Sequence, residues 1–226
     1  MKFSTCSALF ASLFGSAAFA AFDQNRGGAV LKAPADSSFT SVTGTFTVPS
    51  LTGASKLSVW VAIGDTLEQD IVLKGGITYA NGLTSFVAWY PDNQTDITTD
   101  VPISAGDSVT VTVSLSAEDK STGTVVVENL TQSKKSTQTV PVPAKADPAV
   151  LTALAADWFV QAYQAAGELV SVPRFGTLDF TKASATLANG TVVGAAGAGT
   201  FEIQGTSGQI YSQTTIAADT ITIKQQ

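Results

Sequence analysis

Side chains that could bind or act on a ligand are concentrated in one stretch of the sequence, Ser58–Pro91. Runs of β-branched, aliphatic and aromatic residues predict three strands there, at Trp60–Ile63, Asp70–Gly75 and Thr84–Tyr90. Because successive side chains of a strand point to opposite faces, each strand has one apolar face for the core and one mixed face. The mixed faces suit a ligand-binding groove, and their main predicted lining residues are Trp60, Lys74, Phe86, Ala88 and Tyr90.

The amino-acid composition excludes several kinds of catalytic site. The sequence has no histidine and one cysteine, Cys6. Ser-His-Asp triads, Cys-His dyads and His-ligated zinc are therefore excluded, and no disulfide can form within the chain. We expect neither a metal site nor a cofactor.

Several motifs resemble those of the eqolisins, a mostly fungal family of secreted acid endopeptidases. The string WVAIGD…IVLKGG…AWYP is similar to the family pattern WVGIDG…ILQTG…AWYEWYP. The words VTGTFTVP, ISAGDSVTVTV and VENLT also occur in forms close to those of the family, and DWFVQAY resembles EWIVEDF. In the segment DQNRGGAV, Arg26 stands where the family has a tryptophan. The resemblance covers nearly the whole chain after residue 20.

The resemblance implies a catalytic dyad, but both of its positions are substituted here. In the family, a Glu acts as general acid and base on a water, and a Gln helps to hold that water and to stabilise the oxyanion. Counting without a gap, Lys74 stands at the Gln position and Gln161 at the Glu position. Gln161 cannot take a proton from water, and Lys74 as an ammonium is a donor but not a base.

Three more cleft positions differ from the family pattern. Gly64 aligns with an Asp, Ala88 with a Glu and Phe86 with a Trp, whereas Trp60 is retained. The sequence therefore predicts the family's fold with the polar chemistry of its groove exchanged.

Nearby acids, among them Asp157 and Asp65, are candidates to replace the missing Glu, and Asp70 is displaced along its strand from Lys74. Asp157 shares the predicted groove face with Phe159 and Gln161 but lies four residues from Gln161, roughly 13 Å along a strand. Asp65 follows Gly64 and is a candidate to reach the cleft from its loop. The favoured interpretation of each is a solvated surface carboxylate.

The first twenty residues have the features of a signal peptide. Lys2 provides the positive start, Ala8–Phe14 the apolar run and Ala18-Phe19-Ala20 the cleavage site. The apolar run is too short to span a bilayer. We expect a secreted, extracellular protein whose residues 21–226 form one domain, with no membrane anchor.

The remaining chain is acidic and polar. Without residues 1–20, which carry Lys2, it has 11 basic and 18 acidic residues and a net charge of −7. This balance and the lack of basic clusters argue against nucleic acid as a partner, and we expect a monomer. Three sequons make Asn93, Asn129 and Asn189 candidates for glycosylation.

For the fold, we expect an all-β, concanavalin A-like sandwich of two large antiparallel sheets, with roughly seven strands in each as the resemblance implies. One short helix is predicted at Asp147–Ala156. Asp147 is a good N-cap, Pro148 suits the first helical position, and the following Ala and Leu residues favour helix.

Three functions remain in competition. The first is a secreted, non-catalytic eqolisin homologue whose aromatic groove binds an extended peptide. The second is an active acid endopeptidase with a remodelled site, which would need a carboxyl group beside Lys74. The third is a carbohydrate-binding or glycan-cleaving protein that takes a polysaccharide, although no close carboxylate pair for glycoside hydrolysis is evident.

Overall fold

The structure is a computed structural model, and it describes residues 20–52, 55–64, 70–116, 118–146, 151–165 and 168–226. The described chain forms strands and no helix. In chain order the strands are β1 (Ala21–Asp23), β2 (Arg26–Lys32), β3 (Phe39–Thr47), β4 (Leu57–Gly64), β5 (Val72–Tyr79), β6 (Leu83–Tyr90), β7 (Thr95–Asp96), β8 (Ser108–Leu115), β9 (Thr122–Asn129), β10 (Lys134–Pro141), β11 (Ala155–Ala165), β12 (Glu168–Ser171), β13 (Thr177–Leu187), β14 (Val192–Gly194), β15 (Gly199–Ile203), β16 (Ser212–Ala217) and β17 (Thr220–Gln225).

The strands form two large sheets. The first has nine strands in the order β1-β15-β2-β11-β4-β5-β6-β7, with β12 paired to β11. The second has eight, in the order β10-β9-β8-β3-β13-β17-β16, with β14 paired to β13. All pairs are antiparallel except β1 with β15. The predicted all-β sandwich of two large antiparallel sheets is therefore confirmed.

One face of each sheet is buried against the other. Strands β8 and β9 alternate buried and half-buried residues, as expected for strands with one face in the core. The sheets approach closely at Gly75, where an added Cβ would lie 2.4 Å from Cγ1 of Val125. The Trp158 indole crosses the interface, and its Nε1 donates a hydrogen bond to the Thr43 carbonyl oxygen at 2.9 Å. Burial of Val87, Trp89 and Trp158 confirms the predicted core faces of the strands that carry them.

The predicted helix at Asp147–Ala156 is wrong in its described part. Leu151–Leu154 has no regular structure, and Ala155 and Ala156 begin β11; residues 147–150 lie outside the described residues. Both alanines pair with β2 on one side and β4 on the other. Two sheet ladders outweigh the weak local preference of alanine for helix.

Residues 1–19 of the predicted signal peptide and Asp65 also lie outside the described residues. No helix long and apolar enough to cross a membrane occurs in the described part of the chain.

Candidate functional site

The outer face of the first sheet carries a second apolar cluster, separate from the core between the sheets. It consists of buried side chains from β2, β4, β5, β6 and β11: Val30, Trp60, Ala62, Val72, Phe86, Ala88, Ala155 and Phe159. Strand alternation places this cluster, which includes the predicted groove residues Trp60, Phe86, Ala88 and Phe159, on the face opposite the core residues. The cluster forms the floor of the candidate site, and Trp60, Val72 and Ala88 are its members that line the cavities above it.

Strand register aligns the aromatic rings of this floor in one row. Phe159 pairs with Trp60, Trp60 with Gly76, and Gly76 with Phe86. The ring centroids of Trp60 and Phe159 are 5.1 Å apart, and Phe201 continues the row at 5.7 Å from Phe159. Rings at these separations stabilise one another beyond their burial.

A glycine is required within this row. An added Cβ at Gly76 would lie 2.0 Å from the Val59 carbonyl oxygen and 2.8 Å from the Trp60 Cα. Both are backbone atoms and cannot move aside cheaply. Close approach of β5 to β4 therefore depends on the absence of a side chain at position 76.

Two cavities above the floor form one groove. The narrower, of about 250 Å³, is lined by Asn25, Arg26, Trp60, Val72, Lys74, Tyr90 and Gln161. The wider, of about 450 Å³, is lined by Lys56, Lys74, Ala88, Tyr90, Pro91, Asp92, Asn93, Gln94, Gln161 and Tyr163. Because Lys74, Tyr90 and Gln161 line both cavities, the two are parts of a single groove.

Lys74 lies half-buried at the junction of the two cavities. In the strand register it pairs with Ala62 and Ala88, whose small side chains leave room for its stem. Its Nζ lies 5.0 Å from the Trp60 ring centroid and 6.0 Å from that of Tyr90, within the range of cation–π contacts. Burial, followed by the positive charges of Arg26 and Lys56, lowers the pKa of Lys74 to about 8.

Gln161 is held by the groove's tryptophan. The Trp60 Nε1 donates a hydrogen bond to Oε1 of Gln161 at 3.0 Å. Because the indole N–H is only a donor, the amide oxygen must face it and the amide NH₂ points elsewhere. The structure thus brings the predicted site residues Lys74 and Gln161 together with Trp60 in one groove.

Two more cations lie on the same face, and sequence analysis did not assign them to the groove. Arg26 Cζ lies 5.7 Å from the Phe159 ring centroid, and its Nη2 forms a 2.7 Å ion pair with Oδ2 of Asp23. Lys56 Nζ lies 4.1 Å from the Tyr163 ring centroid. Asn25 and Gln94 were missed as well. The one sequence feature that could have assigned Arg26 to the groove is its place at a tryptophan position of the family pattern.

Asp157 is placed differently from the expectation of a solvated carboxylate. It is fully buried on β11, between Val30 and Ala62 in the register, and is not among the described residues that line the groove. Its Oδ2 lies 3.5 Å from where a Cβ on Gly64 would be. Gly64, predicted to border the cleft, is also buried.

The three predicted glycosylation positions differ in exposure. Asn93 and Asn189 are exposed, and Asn93 lines the wider cavity. Asn129 is fully buried, and its Nδ2 donates hydrogen bonds to the Pro102 carbonyl oxygen and to Asp107. This fold leaves Asn93 and Asn189 as accessible acceptors.

The groove offers donors and cations rather than bases. None of the described residues lining the narrower cavity carries a carboxylate, and Asp92 lines only the wider one. Across the described ranges, no three Asp, Glu, His or Cys side chains lie close enough together to hold a metal ion. The arrangement can bind and orient a ligand with amide and carboxylate groups.

Comparison with known proteins identifies the family to which this chain belongs. A sequence model of the peptidase A4 family matches residues 24–225. Aspergillopepsin-2 of Aspergillus niger is 34% identical over 229 residues, covering 89% of this chain and 77% of that protein. The crystal structure of aspergilloglutamic peptidase from Aspergillus niger is 30% identical, with a TM-score of 0.65 and coverage of 76% of this chain and 99% of its own. Scytalido-glutamic peptidase, solved with a peptide based transition state analog, has the same fold, with a TM-score of 0.73 and 23% identity. The match covers 90% of this chain and 99% of that chain. With these matches, the chain belongs to the peptidase A4 family.

Proposed function

We propose that this chain is a secreted peptidase A4 family protein that lacks glutamic-peptidase chemistry and binds an extended peptide in its groove. The observation that carries the proposal is the pair of groups at the junction of the two cavities. Gln161 and Lys74 occupy the positions to which the family resemblance assigns Glu and Gln.

Neither residue can act as a general base at acid pH, as the family's dyad requires. The Gln161 amide does not titrate, and its oxygen already accepts the Trp60 indole N–H. Lys74 has a pKa of about 8, so at pH 2–5 it is an ammonium and holds no free electron pair for a proton. No carboxylate lies among the described residues of the narrower cavity, so none of those residues can act as a general base at acid pH.

The peptide-binding half of the proposal rests on the shape and chemistry of the groove. An apolar aromatic floor with a few polar groups is typical of ligand sites. Scytalido-glutamic peptidase, which has the same fold, holds a peptide based transition state analog. Amide side chains of Asn25, Gln94 and Gln161 are suited to hydrogen bonds with a peptide backbone.

We further propose that residues 1–20 are removed on secretion and that residues 21–226 act as one monomeric domain. The signal-like start of the sequence and the two-sheet fold of the chain after it support this.

The test is cleavage of an acid-denatured protein substrate between about pH 2 and 5, a range that brackets ordinary carboxyl pKa values. The wild-type chain without residues 1–20 is compared with the double variant Lys74→Gln/Gln161→Glu. A matched control, Lys135→Gln/Gln213→Glu, makes the same changes at exposed positions. We expect no cleavage by the wild type or the control.

Cleavage by the double variant alone would show an intact peptidase groove whose chemistry has been removed. Cleavage by the wild type would overturn the proposal and favour the remodelled acid endopeptidase. Binding of neutral oligosaccharides but no peptides would favour the carbohydrate-binding alternative instead.

A further inference from the structure

We propose that the groove selects peptides that carry a carboxylate, which binds in the narrower cavity against Lys74, with Arg26 and Lys56 adding positive charge. The inference rests on the proposed function, which places an extended peptide in this groove.

Three cations line the groove together with Gln161, and each lies over an aromatic ring. Lys74 lies over Trp60, Arg26 over Phe159 and Lys56 over Tyr163. They come from three places in the chain, which are brought together because β11 pairs with β2 and β4, and β4 pairs with β5. The rings limit where each charge can sit, so the cations are preorganised for a ligand rather than spread in solvent.

The carboxylates of the described residues do not fully compensate the positive charge of this cluster. Within the described residues, Arg26 has an ion pair with Asp23, whereas neither Lys56 nor Lys74 has a carboxylate within 4.0 Å. Burial of Lys74 and the nearby charges of Arg26 and Lys56 also disfavour its ammonium form, and so they lower its pKa. A bound carboxylate would compensate part of the positive charge and stabilise the ammonium form of Lys74.

Neutral donors near Lys74 can complete the binding of a carboxylate. The Gln161 amide oxygen faces Trp60, so its NH₂ group remains to donate toward the cavity that it lines. Asn25 lines the same cavity. An ammonium with amide donors provides charge-assisted hydrogen bonds, which are stronger than neutral ones.

The acidic groups around the groove place the ligand carboxylate in the narrower cavity. Asp23 is engaged by Arg26, Asp157 is buried below the surface of the groove, and Asp92 lines only the wider cavity. The phenol groups of Tyr90 and Tyr163 border the site and carry no carboxylate. A carboxylate would be repelled near Asp92 and attracted near Lys74.

This geometry predicts a bell-shaped dependence of affinity on pH. A ligand carboxylate gains its charge as pH rises through about 4. Lys74 loses its proton as pH rises through about 8. Binding is therefore strongest between these values, and because the carboxylate favours the ammonium, binding near pH 8 takes up a proton.

The experiment measures fluorescence anisotropy with labelled decapeptides that differ only by Glu or Gln at a central position. Each peptide is made with a free and with an amidated C-terminus, which separates a side-chain carboxylate from a terminal one. The proteins are wild type, Lys74→Gln, Lys74→Arg and the exposed control Lys135→Gln, each checked for folding by circular dichroism. A labelled oligogalacturonate tests an acidic polysaccharide as the ligand.

We expect peptides with a carboxylate to bind at least about tenfold tighter than the neutral amidated peptide at pH 6 and low salt, as for one charge-assisted contact. Lys74→Gln should remove this preference, Lys74→Arg should retain most of it, and the control should not change it. Added salt should reduce the preference.

Equal affinity for acidic and neutral peptides would overturn the inference and leave the proposed function standing. A preference that survives in Lys74→Gln would also overturn it, since the carboxylate would then bind elsewhere. If no peptide binds, the proposed function fails as well, and tight binding of oligogalacturonate alone would replace the peptide with a polysaccharide.

Discussion

At the scale of single residues, the chemistry of the groove depends on the contacts and hydrogen bonds that Lys74 and Gln161 make with their neighbours. Lys74 pairs in register with Ala62 and Ala88 and lies against two aromatic rings, which bury its stem and reduce its hydration. Gln161 accepts the indole N–H of Trp60 and so has a defined orientation. A charged donor and an oriented neutral amide make a binding site, not an acid–base pair.

Replacing Lys74 by Met should stabilise the protein near neutral pH. The pKa of Lys74 is lower in the folded protein than in the unfolded chain, so between about pH 8 and the unfolded value the unfolded state binds more protons and stability rises with pH. Below pH 8 the buried ammonium costs about 1–3 kcal/mol. Lys74→Met should recover that amount at pH 6, measured by urea unfolding.

The advantage of Lys74→Met should fall to about half or less at pH 9.5, where the folded wild type has lost the proton. Lys135→Met, at an exposed position, serves as the control and should change stability by less than about 0.5 kcal/mol. An advantage that does not depend on pH would show that packing rather than charge is responsible.

At the scale of the elements, β5 connects the core to the groove through neighbouring residues. Gly75 faces the second sheet, where Val125 occupies the space a side chain would need, and Gly76 lies against the backbone of β4. Lys74 projects from the opposite face to Gly75. The glycine pair therefore determines how closely β5 packs on both sides, and with that the position of Lys74.

Gly76→Ala should strongly destabilise the protein, because its Cβ would lie 2.0 Å from the Val59 carbonyl oxygen. We expect a loss of at least about 3 kcal/mol or failure to fold. Gly82→Ala is the matched control on the turn after the same strand, where nothing lies within 4 Å of the added Cβ. Similar urea-unfolding midpoints for the two variants would contradict the close approach of β5 to β4.

Strands β8 and β9 could be predicted from the local sequence, whereas the start of β11 could not. The alternation in Ser108–Leu115 and Thr122–Asn129 identifies a strand pair from local sequence alone, because each strand buries one face. Ala155 and Ala156 have no such local signal. They become part of a strand because β2 and β4, distant in sequence, pair on either side of them.

At the scale of the whole molecule, buried polar groups tie the loop before β8 to the hairpin of β9 and β10. The Asp107 carboxylate accepts hydrogen bonds from Asn129 Nδ2, Gln132 Nε2 and the Ser104 backbone N–H at 2.7–2.8 Å. Burial disfavours the ionised form, but these hydrogen bonds outweigh it and hold the pKa of Asp107 below its usual value.

Asp107→Asn should therefore destabilise the protein at pH 6 and much less at pH 2. A lowered folded pKa contributes stability that is present above the unfolded pKa and lost as pH falls through the folded one. We expect a loss of about 2 kcal/mol at pH 6, typical of hydrogen bonds to a charged group. Asp219→Asn, at an exposed turn, is the control. Equal losses of unfolding free energy at both pH values would show that the charge of Asp107 contributes nothing.

The sequence by itself determined the strand faces, the family and the presence of Lys74 and Gln161 on one face of the sheet. Those features follow from alternation within a strand and from local motifs, and neither requires knowledge of distant contacts. Only the tertiary structure decided that Arg26 and Lys56 join the groove and that Asp157 is buried. The physical reason is that these placements depend on the pairing of β11 with β2 and β4, strands that lie far from it in the chain and whose register no local pattern encodes.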